Sequence, residues 1–268
     1  MSTLSQSNTP ALVSLPQEIS LNQDVFLVHQ HEQACLLNFR NGNFWGLNLV
    51  ASELIRQTLR TNPADAAEQI AARYHQPLPR VAQDLQALLR ELTQNRMLFD
   101  GNEREEWFES TRVAVTRLEN LIGAIWQRAH ARLVKRLADR SLHRRDVRSV
   151  LRIIWFHLRW CGWSRTVEFS RQLPESPSVR MLVSKSMLRE IDEMIRQQAS
   201  RMWLPMACKE RAMTGFYLFG ALLGESPRLV VGMQRYPFSA HAWVTLNNEV
   251  FTDDPEHCEL FEPVAEYC

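Results

Sequence analysis

No run of about 18 uncharged apolar residues occurs in this chain, so a membrane-spanning helix is not expected. The opening M-S-T-L-S-Q-S-N-T-P has neither a basic segment nor an apolar core, which argues against a secretory signal. Charge of one sign is also missing: 31 Lys and Arg stand against 30 Asp and Glu, a net charge of +1. Nothing global therefore draws the protein to nucleic acid or to an anionic membrane. Cysteine is sparse and badly spaced for bridging. Cys35, Cys161, Cys208, Cys258 and Cys268 are odd in number and never form C-x-x-C, which argues against a disulfide framework or a zinc site and for a reducing, cytoplasmic setting. What remains is ordinary globular composition, 45% hydrophobic and 23% charged over 268 residues, enough for one or two domains with real cores.

One constellation carries chemistry. Cys208 ends W-L-P-M-A-C and opens an apolar stretch, Met213 to Leu223, with the character of a buried helix. A helix N-terminus stabilises a thiolate through its unsatisfied N–H groups and partial positive charge. His241 lies in the alternating run H-A-W-V-T-L, which turns at Asn247-Asn248 and returns as E-V-F-T-D. That is a hairpin with a base on one strand and a carboxylate on the other. Taken singly, a cysteine before a helix is usually a small buried hydrophobe, and a strand histidine is usually structural. Together with the acid they have the composition of a nucleophile, its base and the base's orienter.

Register leaves the acid open. A strict two-residue turn at Asn247-Asn248 pairs Leu246 with Glu249, sets His241 opposite Asp254 and turns Asp253 to the other face. A three-residue connection that includes Glu249 and carries a bulge shifts the register by one and brings Asp253 to the face of His241.

The pattern of Cys208 with Arg211 three residues on, then His241, Ala242, Trp243 and Val244 as H-A-W-V, then Asp253 at the end of the next strand, resembles the leader peptidases of lasso-peptide biosynthesis, the B proteins. These are a transglutaminase-like branch of the papain-type fold. Two features depart from the family pattern: Ala212 stands where a small Ser often follows the Arg, and M-T-G-F-Y-L-F-G stands in place of the usual leucine-rich continuation. The resemblance implies an α+β protein whose catalytic domain uses Cys208, His241 and Asp253, with Asp254 the alternative acid, to hydrolyse the bond between the leader and core of a precursor peptide. It also implies a separate asparagine-synthetase-like cyclase as partner, and no metal or cofactor for this chain. Because no nucleotide-binding motif occurs, any ATP dependence would belong to that partner.

The N-terminal third reads as a small winged-helix-like domain of three strands and three helices. V-F-L-V-H-Q, A-C-L-L-N-F and N-F-W-G-L-N alternate like strands, the last two joined at Arg40-Asn41-Gly42. Leu49 to Leu59 predicts a first helix; Asn62-Pro63, an N-cap and a proline at the first helical position, predicts a second. From about Pro79, Val81, Leu85, Leu88, Leu89 and Leu92 form the stripe of a third. The order of F-W-G-L-N, I-A-x-x-Y and V-x-x-D-L-x-x-L-L-x-x-L between Asp24 and Phe99 resembles the PqqD-like leader-recognition domain of peptide-modifying enzymes. That resemblance implies that the leader adds as a strand beside the third strand. It puts the docking edge at Asn43, Phe44, Trp45, Gly46 and Leu47, with Phe44 and Trp45 lining it, and the groove at Asp84 and Leu88 of the third helix. The physics is β-augmentation, in which main-chain groups give affinity and flanking side chains give selectivity. A winged helix also suggests DNA binding, but the third helix offers only Arg80 and Arg90 against Asp84 and Glu91, a poor surface for phosphates.

These readings divide the chain into a loose tail over residues 1–22, a recognition domain over 23–100 and a protease domain over 101–268 that begins with a helical region, about Glu103 to Gln198. Within that region, Arg128 to Arg152 holds nine Arg and Lys against two Asp, most simply the solvated face of an amphipathic helix. Docking to an acidic partner or to a membrane surface carrying an exporter is the functional alternative. The aromatic cluster from Trp155 to Trp163 reads as core or as a contact surface, and His157 within it as structural. Leu173 to Val179 reads as a linker before a helix from Lys185 to Gln198. Two other function classes stay open: an acyl transferase using the same three residues, and a non-catalytic leader-binding scaffold.

Overall fold

The computed structural model describes residues 15–30, 33–100, 120–136, 142–172, 184–222, 225–234 and 237–268. The chain divides into two units, Met1–Arg112 and Val113–Cys268. Each mixes helices with antiparallel sheet, the expected α+β class.

The first unit runs β1 (Ile19–Leu21), β2 (Val25–Gln30), β3 (Gln33–Asn38), β4 (Phe44–Gly46), α1 (Leu49–Arg60), α2 (Pro63–Tyr74), α3 (Leu78–Gln94) and β5 (Leu98–Asp100). Strands β2, β3 and β4 form one antiparallel sheet in that order, and β1 pairs with β5. Asn41-Gly42 makes the β3–β4 turn because Gly42 adopts φ +80, and its N–H bonds Asn38 O at 2.8 Å. Asn48 and Asn62 begin α1 and α2 by accepting from the N–H groups of Ala51 and Asp65. The stripe of α3 is buried at Val81, Leu85, Leu89 and Leu92, together with Leu36, Ile55, Ile70 and Met97. Truncating Leu85 or Ile55, both 0% exposed, to alanine would cost about 2–5 kcal/mol. The expected tail over 1–22 needs correction at its end. Ile19 and Leu21 share one face of β1 and pack on this same core, and Asn22 N–H bonds Met97 O at 3.0 Å. Residues 1–14 lie outside the described residues.

The second unit runs α4 (120–136), α5 (Arg144–Cys161), α6 (Trp163–Gln172), α7 (Lys185–Ser200), α8 (Cys208–Tyr217), β6 (Arg228–Gln234), β7 (Ser239–Leu246), β8 (Glu249–Phe251), α9 (Pro255–Cys258) and β9 (Glu262–Tyr267). Its sheet is antiparallel in the order β8-β7-β6-β9. The expected helix after Cys208 forms as α8 and continues through a π-helical turn, Leu218–Leu222; Leu223 lies outside the described residues. Met213, Phe216, Leu218 and Phe219 are buried, and α8 packs against α5, α7 and β7. Tyr217 fixes its far end, with its hydroxyl 2.9 Å from His130 Nδ1 and its ring edge-on to Trp126.

The aromatic cluster divides between two roles. Trp163 is core, whereas Phe156 and Trp160, four residues apart on α5, are about half exposed. His157 is structural: it is buried against Trp126 and Phe169, and its Nδ1 meets Thr166 Oγ1 at 2.8 Å. The basic stretch falls on α4 and the start of α5, where Arg128, Arg132, Lys135, Arg144, Arg145 and Arg152 are exposed. The expected linker from Leu173 to Val179 lies outside the described residues. Among the described residues, no helix is long and apolar enough to cross a membrane.

Candidate active site

Cys208 is the first residue of α8, half-buried at the end of the helix where backbone N–H groups have no intrahelical partner. Its helix starts here because Pro205 breaks the preceding chain and the Ala207 N–H donates to Glu210 Oε2 at 2.8 Å. Glu210 is buried, and burial raises its pKa against the opposing influence of Lys209 and the Ala207 N–H.

His241 stands on β7 directly opposite Gly232 of β6. A side chain at Gly232 would come within 2.6 Å of the Trp243 ring and 2.9 Å of Phe261 Cβ, so glycine is what lets those rings close around the imidazole. Phe261 stacks on it at 4.8 Å, Trp243 at 5.9 Å, and His257 meets it edge-on at 4.8 Å. Held this way, His241 is 6% exposed.

The acid beside it is Asp253, by a route the strand pattern does not anticipate. Asn247 and Asn248 adopt φ +52 and +64, the geometry of a two-residue type I′ turn, and Leu246 pairs with Glu249. The three-residue bulged connection therefore does not form. Asp253 nevertheless faces His241, because the ladder ends at Phe251 and Thr252 turns left-handed at φ +70, which cancels the alternation beyond it. Asp254 has a different task. It is the N-cap of α9, its Oδ1 accepting from Glu256 N–H at 2.9 Å.

Asp253 Oδ2 lies 3.0 Å from His241 Nε2 and accepts from Arg211 Nη2 at 2.6 Å, while Oδ1 accepts the Asp254 N–H at 2.8 Å. The contact with His241 has ion-pair distance, but its N–H is off the line of a hydrogen bond. Burial alone would push the imidazole pKa down; the Asp253 carboxylate and the thiols of Cys208 and Cys258 outweigh it and hold the pKa well above its ordinary value. Burial likewise opposes ionisation of Asp253, but His241, the Asp254 N–H and the Arg211 charge keep its pKa low. The arrangement favours an imidazolium between a carboxylate and a thiol.

Glu210, Thr252 and Cys258 belong to this site and escape sequence reasoning. Only Glu210 had a signal, an acid three residues after a helix cap. Cys258 is buried on α9 against Trp243 and Phe261. Among the described residues, no group of three His, Cys, Asp or Glu is placed to hold a metal ion.

In the first unit, β4 is an outer strand of its sheet. Asn43 O and Leu47 N bond to Asn38 and Ala34 of β3, so alternation sends the main-chain groups of Asn43, Trp45 and Leu47 inward and those of Phe44 and Gly46 outward. Side chains of the same residues divide between the core and solvent. Phe44 is 49% exposed, whereas Leu47 is buried and Trp45 packs against the core, so of the two aromatics expected to line the edge only Phe44 projects from it. On α3, Asp84 is exposed and Leu88 half-buried against the core.

The family model of the transglutaminase-like superfamily matches residues 112–266, and that of coenzyme PQQ synthesis protein D (PqqD) matches residues 33–98. No curated protein matches the chain. Two solved structures are similar over a limited part of it. One, "Lasso peptide synthetase B1 complexed with the leader peptide", is 26% identical over 31% of this chain and 98% of that chain, with a TM-score of 0.29. The other, "TbiB1 in Complex with the TbiA(beta) Leader Peptide", is 26% identical over 29% of this chain and 92% of that chain, with a TM-score of 0.28.

Proposed function

The chain belongs to the transglutaminase-like superfamily, and from that premise we propose that it is a cysteine peptidase that removes the leader from a lasso-peptide precursor. The observation that carries the chemistry is Asp253 Oδ2 at 3.0 Å from His241 Nε2, with the Cys208 thiol at a helix N-terminus on the same imidazole. In this reading the Cys208 thiolate attacks the scissile carbonyl and His241 protonates the departing amine. His241 then takes a proton from water as it attacks the thioester, while Asp253 keeps the imidazole oriented. The N–H of Cys208, without an intrahelical partner, is the candidate oxyanion donor.

The PqqD match over residues 33–98 and the outer position of β4 support the first unit as the module that captures the leader by strand addition at Phe44 and Gly46. Capture raises the local concentration of the scissile bond, so the peptidase site itself needs little sequence selectivity. Hydrolysis frees the α-amine of the core, the group a macrolactam-forming, asparagine-synthetase-like cyclase must consume. The protein works in the cytoplasm in this reading.

The test is incubation of the full chain with a precursor peptide, followed by mass spectrometry. Separate leader and core are expected, with no turnover but intact leader binding in Cys208→Ala. Iodoacetamide should label Cys208 faster than the other four cysteines. Turnover by Cys208→Ala would overturn the reading, and transfer of the acyl group to an added primary amine in place of water would make the enzyme a transferase.

A further inference from the structure

Asp253 follows a residue whose backbone is held in an unusual conformation. Thr252 has φ +70, a region that β-branched side chains rarely enter, and it is buried at 1% exposure. Three elements hold it. Its N–H donates at 2.6 Å to Oδ1 of Asp192 on α7, a buried carboxylate whose Oδ2 accepts from Arg196 Nη2 at 2.6 Å. Its Oγ1 accepts from Val244 N–H of β7 at 3.3 Å. Its methyl lies over Gly215 of α8, where an added Cβ would come closer than 3.0 Å.

We propose that Asp192, acting through the Thr252 N–H, is a positioning residue that turns Asp253 toward His241. The proposal rests on the assignment of Cys208, His241 and Asp253 made above. A backbone N–H buried this deeply needs an acceptor, and an ionised carboxylate is a strong one. If Thr252 relaxed to an extended conformation, β8 would run on in its two-residue register. Asp253 would then pair with Ala242 and point to the face opposite His241, and Asp254 would stand across from the base. The left-handed turn thus decides which of two adjacent aspartates serves the imidazole. It also couples the acid to the nucleophile's own helix, since only a glycine at position 215 leaves room for the Thr252 methyl. Around the imidazole and its acid, the groups that carry or exchange charge are Cys208 and Arg211 on α8, Arg196 on α7, and His257 and Cys258 on α9.

The full-length protein tests this with three variants: Asp192→Ala, Gly215→Ala, and Gly215→Ala combined with Thr252→Ser. Two readouts are needed, kcat and KM for precursor cleavage and the rate of Cys208 alkylation by iodoacetamide against pH, with circular dichroism to establish folding. Asp192→Ala should lower kcat by about tenfold or more with KM within about twofold. It should also move the midpoint of alkylation upward by about one pH unit, because an imidazole without its carboxylate no longer holds its proton. Gly215→Ala should do the same by displacing Thr252, and removing the Thr252 methyl in the double variant should restore both readouts. A lower melting temperature with an unchanged alkylation profile and unchanged kcat would overturn the proposal, leaving Asp192 a purely structural residue. If Asp192→Ala fails to fold, the Gly215 pair decides, and absence of rescue by Thr252→Ser overturns it. A wild-type protein that cleaves no precursor while the alkylation profiles shift as expected would refute the peptidase reading and uphold the positioning role.

Discussion

Arg211 Nη2 and Asp253 Oδ2 lie 2.6 Å apart, so the helix that begins with Cys208 also grips the acid beside His241. Arg211 is three residues beyond Cys208, about one turn along the same face. One helix thereby fixes the thiol at its tip and the carboxylate along its side. The guanidinium also helps keep the Asp253 pKa low, alongside His241 and the Asp254 N–H. Arg211→Ala should therefore move the acid limb of the pH–rate profile to higher pH, because Asp253 then protonates more easily, and should lower turnover by about tenfold or more. Arg211→Lys should recover only part of this, since an ammonium lacks the planar fork. An acid limb that stays in place in Arg211→Ala would show that the charge of Arg211 does not act on Asp253.

The two neighbouring aspartates should separate cleanly by mutation. Asp253→Asn should lower single-turnover cleavage by about 10²-fold or more, as expected when a base loses its orienting charge, while leader affinity stays unchanged. Asp254→Asn should be mild, because asparagine caps a helix nearly as well as aspartate and position 254 caps α9. A severe Asp254 defect beside a mild Asp253 defect would reverse the assignment.

That pair also marks where sequence reasoning stops. The helix start at Cys208 and the alternating strand of His241 were legible because both are local patterns, and Asn247-Asn248 marked a turn whose length, two residues or three, the sequence left open. Asp253 was not decidable by register, since alternation assumes a strand that continues, and a threonine is among the last residues expected to turn left-handed. Asp192 lies 60 positions from Thr252, so nothing local could link them. In the first unit the Asn62 cap, the Asn41-Gly42 turn and the leucine stripe of α3 announced themselves. The β1–β5 pair did not, because two three-residue strands 77 or more positions apart carry no periodic signal.

The proposed leader-docking edge has a discriminating substitution. Gly46 directs its N–H away from β3, and space is open where a side chain would be added. Gly46→Pro should therefore leave the β3–β4 ladder intact and weaken leader binding by at least about tenfold, or 1.4 kcal/mol. Trp45→Pro would instead break a bond to β3 and damage the domain itself. Calorimetric titration with leader peptide, with circular dichroism as control, checks the difference. Unchanged affinity in folded Gly46→Pro would move the leader to another surface.

His157 should make the second unit sensitive to acid. Thr166 Oγ1 already donates to Gly162 O at 2.6 Å, so it must accept from His157 Nδ1–H, which fixes a neutral tautomer. Burial, and secondarily the charge of Arg165, lowers the His157 pKa from 6.5 to about 4. In the unfolded chain the same imidazole takes a proton below its ordinary value, so between the two values the unfolded state binds more protons. The stability His157 contributes is therefore complete above pH 6.5 and is lost as pH falls toward 4, a loss approaching about 3 kcal/mol. His157→Asn can keep a donor to Thr166 but cannot titrate. Urea unfolding from pH 7 to pH 4 should show a flatter decline for that variant than for the wild type, and equal slopes would mean that the acid sensitivity arises at other groups.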